Sequence, residues 1–272
     1  MDFTVIASIA GLGGMGLVFG ALLAYASRIF RVEIDPRIEQ VLAILPGANC
    51  GGCGYPGCSG YAEAVVKGNA ELNLCAPGGA DIVAQIATLL GKEDTGAGVE
   101  MVAAVQCKGG NKEATTRFIY QGILDCTAAQ MIDSGFKGCT YGCLGLGTCV
   151  KACPFDALRM NSNGLPEVIE EKCTACGLCV KACPRHIMAL IPKTQRVFVG
   201  CVSRGRGKSV KNVCSVGCIG CTKCANPKVT PSGAIQMDDN LPKIIEPDAE
   251  DLRNAVESCP TNSFSVRRVI LT

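Results

Sequence analysis

The chain contains no tryptophan and a single histidine, His186, and only 5% of its residues are aromatic. One histidine excludes zinc sites built on histidine pairs and leaves imidazole base catalysis almost without a candidate. A charge excess of either sign is also missing. Lys and Arg number 26 against 24 Asp and Glu, a formal net charge of +2, so whole-molecule electrostatics select neither nucleic acid nor an acidic partner. There is no Walker loop, no nucleophile elbow and no carboxylate pair placed by a motif. The glycines from Gly11 to Gly16 lie inside an apolar run rather than after a strand, so they are not a dinucleotide fingerprint. The chain therefore offers no flavin or nicotinamide site of its own and no complete active site.

What it has in quantity is glycine, 33 residues, and cysteine, 20 residues, in a length of 272. In a small secreted protein such cysteines would form a disulfide framework. Here they fall in tight C-x2-C groups, where neighbouring thiols suit a metal centre better than each other.

Phe3 to Ala26 carry no charge. A helix over these residues rises about 36 Å, enough to cross a hydrocarbon core of about 30 Å. The alternative is a cleaved signal peptide, but Met1-Asp2 provides no basic n-region and the apolar run is long for one. Residues 1–31 are read as a retained transmembrane anchor. Arg28 and Arg31 follow the apolar run and no Lys or Arg precedes it, which places the remaining chain on the cytoplasmic side of the inner membrane. Gly16 and Gly20 form a small-xxx-small pair that lets another helix approach closely, though glycine is common in membrane helices in any case.

The predicted fold class is α+β: the anchor, a small helical domain at 32–91, a polar glycine-rich linker at 92–98, and ferredoxin-like units at 99–200 and 201–272. In the helical domain, Asp35-Pro36 opens a helix that Pro46 ends. Ser59 is read as the cap of a second, stopping near Gly68, and Asp81 to Leu90 form a third that Gly91 terminates. Beyond the linker, strands are predicted at Val99–Val105, Glu167–Ile169, Met188–Ile191, Val197–Val199 and Phe264–Leu271, with a helix from Pro247 to Ser258.

The first cysteine group is Cys50-x2-Cys53-x4-Cys58-x16-Cys75. Four thiolates suffice for a cubane, one per iron, but a structural zinc site with four cysteine ligands fits the same spacing. The next groups are more specific. Cys173-x2-Cys176-x2-Cys179-x3-Cys183-Pro184 is the bacterial ferredoxin run, whose fourth cysteine serves the other cluster of a pair. Its partner is Cys139-x3-Cys143-x5-Cys149-x3-Cys153-Pro154, with Leu146 where a cysteine is expected. Cys139 is read as supplying the missing thiolate. The expected sets are therefore Cys173, Cys176, Cys179 and Cys153, and Cys139, Cys143, Cys149 and Cys183. An eroded copy follows, with Cys218, Cys221 and Cys224 completed by Cys259 and with Lys228 in the fourth position. Cys107, Cys126, Cys201 and Cys214 remain. Cys126 precedes Cys139, and Cys201 precedes Cys214, by the same 13 residues, an internal repeat. These four are read as a fifth [4Fe–4S] site, the alternative being free buried thiols. Arg204, Arg206, Lys208 and Lys211 form a basic stretch, read as a solvated loop in preference to a steering surface.

These motifs resemble one family over nearly the whole chain. The anchor ends in Ala24-Tyr25-Ala26-Ser27-Arg28. Then come Leu45-Pro46-Gly47-Ala48-Asn49-Cys50-Gly51-Gly52-Cys53-Gly54-Tyr55-Pro56-Gly57-Cys58, Cys75-Ala76-Pro77-Gly78-Gly79, Tyr141-Gly142-Cys143-Leu144-Gly145-Leu146-Gly147-Thr148-Cys149 and Gly217-Cys218-Ile219-Gly220-Cys221. The pattern is similar to the B-type subunit of the Rnf electron-transport complexes, membrane-bound ferredoxin:NAD oxidoreductases that pump Na⁺ or H⁺. It departs from longer members at the C-terminus, where another ferredoxin run is reduced to Cys259. The resemblance implies an electron-transfer subunit that takes electrons from reduced ferredoxin and passes them to membrane partners, with flavin and nicotinamide on other subunits. The alternatives are a donor that keeps a redox-sensing regulator reduced and a zinc-stabilised scaffold.

Overall fold

The computed structural model describes residues 3–30, 35–93 and 98–267. Met1, Asp2, Arg31, the middle of the linker at 94–97 and the end of the last predicted strand at 268–271 lie outside the described residues. Helix α1 spans Phe3–Ile29, with Arg28 in its last turn. Its 27 residues rise about 40 Å. The stretch Ile6–Ile29 has mean hydropathy 2.0 and none of it is buried. By length and composition it is apolar enough to cross a membrane.

Three helices make the next domain: α2 (Pro36–Ile44), α3 (Gly57–Val66) and α4 (Gly79–Leu90). Asp35 caps α2 by accepting from Arg37 N (2.9 Å), with Pro36 in the first turn. Helix α3 begins two residues before the expected Ser59 cap, because Asn49 Oδ1 accepts from Cys58 N (2.8 Å) and caps it from upstream. Helix α4 ends on Gly91 in the left-handed conformation (φ +62°). Val41, Tyr61, Val65, Val83 and Ile86 close a small core. Inside it the Tyr61 hydroxyl donates to the carbonyls of Glu71 and Leu72 (2.8 Å each).

The rest is built from two-stranded antiparallel ribbons. Strand β1 (Met101–Val105) pairs with β4 (Met188–Pro192), and between them β2 (Leu158–Met160) and β3 (Pro166–Val168) form a hairpin. Short helices α5 (Cys126–Met131), α6 (Thr148–Lys151) and α7 (Leu178–Ala182) fill the same stretch. The pattern repeats. Strand β5 (Val197–Val199) pairs with β8 (Phe264–Val266) and encloses the β6 (Ile235–Asp238) and β7 (Leu241–Ile244) hairpin, with α8 (Lys208–Lys211) and α9 (Leu252–Ser258) alongside. Strand β5, expected at the end of the first unit, thus opens the second. Helix α9 starts later than expected from Pro247, and the carboxylate of the residue before it, Asp251, accepts from Ser232 N and Oγ (2.9 Å each). Strands β2, β6 and β7 are additions to the expected set; each has only three or four residues, too few for an alternation to show.

The two units interlock. Ala114 bridges Cys214, Thr115 N donates to Val213 O (2.9 Å), and Ser215 N donates to Glu113 O (3.0 Å). Arg267, just past β8, reaches back into the first unit. Its side chain is 7% exposed, and it donates to Glu170 Oε1 (2.8 Å) and to the carbonyls of Lys193 (3.3 Å) and Gln195 (3.2 Å). The guanidinium holds the Glu170 carboxyl below the usual carboxylate range. Replacing Arg267 with Ala is expected to lower stability by about 1.5–3 kcal/mol. The measurement is the midpoint of denaturant unfolding, and an unmoved midpoint would mean that the clip does not hold the units together.

Candidate iron–sulfur sites

Four pockets are each lined by four cysteines, with between 320 and 370 Å³ of space free of protein atoms. One holds the Cys173 set: Cys153, Cys173, Cys176 and Cys179. It follows from the ferredoxin run. A loop with Ala175 and Gly177 at positive φ leads into α7, placing Cys179 in the first turn. Ala103 N, from β1, donates to Cys173 Sγ (3.4 Å).

The Cys143 set is Cys126, Cys143, Cys149 and Cys183. This corrects the sequence-based grouping, in which Cys139 filled the place of Cys126. The reason is local. Asp125 caps α5 by accepting from Thr127 N (2.8 Å) and Ala128 N (2.9 Å), and it also accepts from Thr148 Oγ1 (2.9 Å). Thr148 Oγ1 in turn accepts from Cys126 N (2.7 Å). The first residue of α5 is thereby tied to the first residue of α6, beside Cys149.

Cys139 belongs instead with Cys107, Cys201 and Cys214. Cys107 lies two residues beyond β1 and Cys201 two beyond β5, and Lys108 N donates to Gly200 O (3.1 Å) to bring them together. Thr116 pairs with Lys137 as Ala114 pairs with Cys214, so one segment carries Cys139 and Cys214 side by side. The 13-residue echo between Cys126 and Cys201 does not mark equivalent positions, because the two cysteines line different pockets. The usable signal is the matching position of Cys107 and Cys201, each following a predicted strand.

The Cys218 set is Cys218, Cys221, Cys224 and Cys259, which line one pocket. Ser263 N donates to Cys259 Sγ (3.3 Å). The remaining set lies in the helical domain, where Cys53, Cys58 and Cys75 pack on the core and Cys75 lies within electrostatic reach of Cys50 as well. Arg204 is not free, because it pairs with Asp239 (2.6 Å); Arg206, Lys208 and Lys211 are exposed, as is His186.

The thiols resist ionisation. Burial pushes Cys143 and Cys149 up to about 12, and Cys107, Cys179, Cys218 and Cys224 up to about 11. At Cys259 burial also raises the pKa, but hydrogen bonds from Ser263 and Thr261 outweigh it and the net shift is downward. A metal centre that takes these sulfurs as thiolates must displace protons.

The donor set fits a cubane. Among the described residues no three Cys, His, Asp or Glu side chains converge closely enough to share one metal ion. Tetrahedral zinc with Zn–S near 2.3 Å requires such convergence, whereas a four-iron core spreads its thiolates. The pocket of the Cys143 set also contains Arg185, whose buried Nε and Nη1 have no protein partner. An anionic thiolate-bound cluster would supply one.

The sets stand in a row. The Cys50 set meets the Cys173 set at Gly52, where a Cβ would come within 2.7 Å of Cys176 O. Cys149 lies within electrostatic reach of both Cys183 and Cys179, joining the Cys143 and Cys173 sets. Cys143 N donates to Cys107 Sγ (3.4 Å). Cys201 accepts from the backbone of Cys218. The order is Cys50, Cys173, Cys143, Cys107, Cys218.

Comparison with known proteins agrees with this chemistry. Residues 45–77 match the family described as "Putative Fe-S cluster", and residues 140–190 match the 4Fe-4S dicluster domain. The B component of the ion-translocating oxidoreductase complex of Methanosarcina acetivorans is 45% identical over 267 residues, covering 98% of this chain and 100% of its own length. The chain belongs to this family, the B-type subunits of the Rnf complexes. The B component of the Na⁺-translocating ferredoxin:NAD⁺ oxidoreductase complex of Acetobacterium woodii is 43% identical over 93% of this chain and 75% of its own length. The proton-translocating counterpart from Clostridium ljungdahlii is 43% identical over 96% and 92%. The 4Fe-4S dicluster match and the twenty cysteines make this chain a [4Fe–4S] protein.

The regrouping has a direct test. Cys126→Ser is expected to abolish the same electron paramagnetic resonance signal as Cys149→Ser, and Cys139→Ser the same signal as Cys107→Ser. If Cys139→Ser and Cys149→Ser remove one signal together, the regrouping is wrong.

Proposed function

We propose that this chain is the iron–sulfur subunit through which an Rnf-type complex draws electrons from reduced ferredoxin, and that it holds five [4Fe–4S] clusters. All twenty cysteines are the proposed ligands, in the five sets of the row. When bound, each cubane takes up and releases one electron at a time. The rest is the work of the residues. Short loops and one-turn helices hold neighbouring sets in contact, backbone N–H groups from Ala103, Cys143, Ser203 and Ser263 point at cysteine sulfurs, and apolar side chains exclude water, so that burial and N–H···S bonds set the potentials.

The observation that carries this reading is the unbroken row. One end is the Cys218 set, where Cys221 is the exposed cysteine of the twenty. The other end is the Cys50 set, in the domain that follows the anchor. Ferredoxin is read as docking at the Cys218 end and the membrane partners at the Cys50 end, with the soluble part on the cytoplasmic side. Helix α1 supports a membrane partner as well. Its Gly16 and Gly20 form a small-xxx-small pair of the kind that lets a neighbouring helix approach closely. A zinc scaffold is disfavoured by the spread of the sulfurs. The two relatives above are named for Na⁺ and for protons, and either ion is compatible with the features of this chain.

Anaerobically purified protein should contain about twenty iron and about twenty acid-labile sulfide per chain, with negligible zinc. About sixteen would remove one set from the row, and zinc in place of iron would overturn the function. The direction of flow has its own test. Cys53→Ser in the assembled complex is expected to leave reduction of the chain's other clusters by ferredoxin intact while abolishing NAD reduction. Loss of both together would refute entry at the Cys218 end.

A further inference from the structure

Among the described residues Lys137 (1% exposed) and Arg185 (7%) are buried basic residues without a carboxylate partner, whereas the equally covered side chain of Arg267 is paired with Glu170. Lys137 and Arg185 both stand at the middle of the row. Lys137 Nζ donates to Gly109 O (3.4 Å), beside the Cys107 set. Arg185 is the more unusual. It lines the pocket of Cys126, Cys143, Cys149 and Cys183. Its Nη2 donates to Ser134 O, while Nε and Nη1 are buried without a hydrogen-bond partner. Among the described residues no carboxylate pairs with it; the charged groups that bear on it are Arg117 and the cysteines Cys139, Cys183 and Cys126. A guanidinium stays protonated at any pH a folded protein experiences. A buried cation with two idle donors is strongly unfavourable unless an anion faces it. In this pocket the anion available is the four-thiolate cluster.

We propose that Arg185 is the fixed counter-charge of the cluster held by Cys126, Cys143, Cys149 and Cys183, and that it raises the reduction potential of that site above what its buried thiolates alone would give. The proposal rests on the electron-transfer reading. Reduction adds one electron, supplied by a low-potential one-electron carrier protein. No bond at sulfur is made or broken and no proton moves, so the site becomes more negative by one charge. A positive charge held at fixed distance in a low-dielectric interior stabilises that product more than the oxidised form. Arg185 is a positioning and tuning residue; it does not ligate iron.

The test is a spectroelectrochemical titration of the full chain, followed by electron paramagnetic resonance, with iron and sulfide assayed on each sample. In Arg185→Gln one of the one-electron steps is expected to move to lower potential by at least tenfold in its reduction equilibrium, about 59 mV, with iron content unchanged. Arg185→Lys, which keeps the charge, should restore the step. If every step stays in place at full loading, the proposal falls and the electron-transfer reading stands. If Gln and Lys move the step equally, shape rather than charge is responsible and the proposal also falls. Should Arg185→Gln fail to load iron, Ser134→Asp decides the matter. Ser134 is exposed and its carbonyl already meets the guanidinium, so a carboxylate there partly offsets the charge without touching the core. A lowered step supports the proposal and an unmoved one overturns it. Wild-type protein with zinc instead of iron would overturn the electron-transfer reading and this proposal with it.

Discussion

Four thiolates closing on an iron–sulfur core must be spread more widely than ligands around one ion, and they must be dry, charged and tightly held at the same time. Nearly everything beyond the anchor helix serves that requirement. Ribbons are two-stranded and helices past α4 are seven residues or shorter, because each element has only to deliver one or two cysteines to a pocket. The apolar cores are correspondingly small, and cysteines are counted among their packed members. A chain with no tryptophan and eight phenylalanines has little large apolar surface to bury, so ligand bonds replace core volume as the source of order.

Much of this is legible in the residues alone. The ferredoxin run from Cys173 to Pro184 points to cross-wiring through Cys153 and Cys183, because the fourth cysteine of such a run serves the other cluster of a pair, and Cys153 and Cys183 line the pockets that this exchange requires. The anchor is legible from length and charge. The exchange of Cys126 and Cys139 is not. Both lie near Cys143 in sequence, and the choice is made by hydrogen bonds among Asp125, Thr148 and the Cys126 backbone, between residues more than twenty positions apart. Spacing arguments cannot see such a contact. Strand β5 is misplaced for a similar reason, since Val-Phe-Val reads as a strand wherever it pairs and only the partner β8 assigns it to a unit. Asn49 as the remote cap of α3 is equally invisible, with Ser59 the nearer and more conventional candidate.

The tandem units are less separable than their repeat implies. The Cys107 set draws two cysteines from each side of the β4–β5 junction, and Arg267 fastens the last strand to the loop before Cys173. The arrangement converts two ferredoxin-like modules into one conductor with buried positive charge at its centre and an exposed cysteine at one end. The helical domain comes close to the first unit at Gly52, which lies against the backbone of Cys176. A side chain at that glycine would hold the two bodies apart.

The composition of the Cys107 set also bears on how the protein is made. During synthesis the Cys50 set, and then the paired Cys143 and Cys173 sets, are complete as soon as their own segments have left the ribosome. Cys107 and Cys139 emerge early too, yet they wait for Cys201 and Cys214 from the far unit. The link that joins the two halves therefore closes only after the cysteines of the neighbouring Cys143 set have all emerged. Until then Cys107 and Cys139 lack half of their set, so the order of the chain makes the junction between the halves the last of these sites to gain all its cysteines before the Cys218 set.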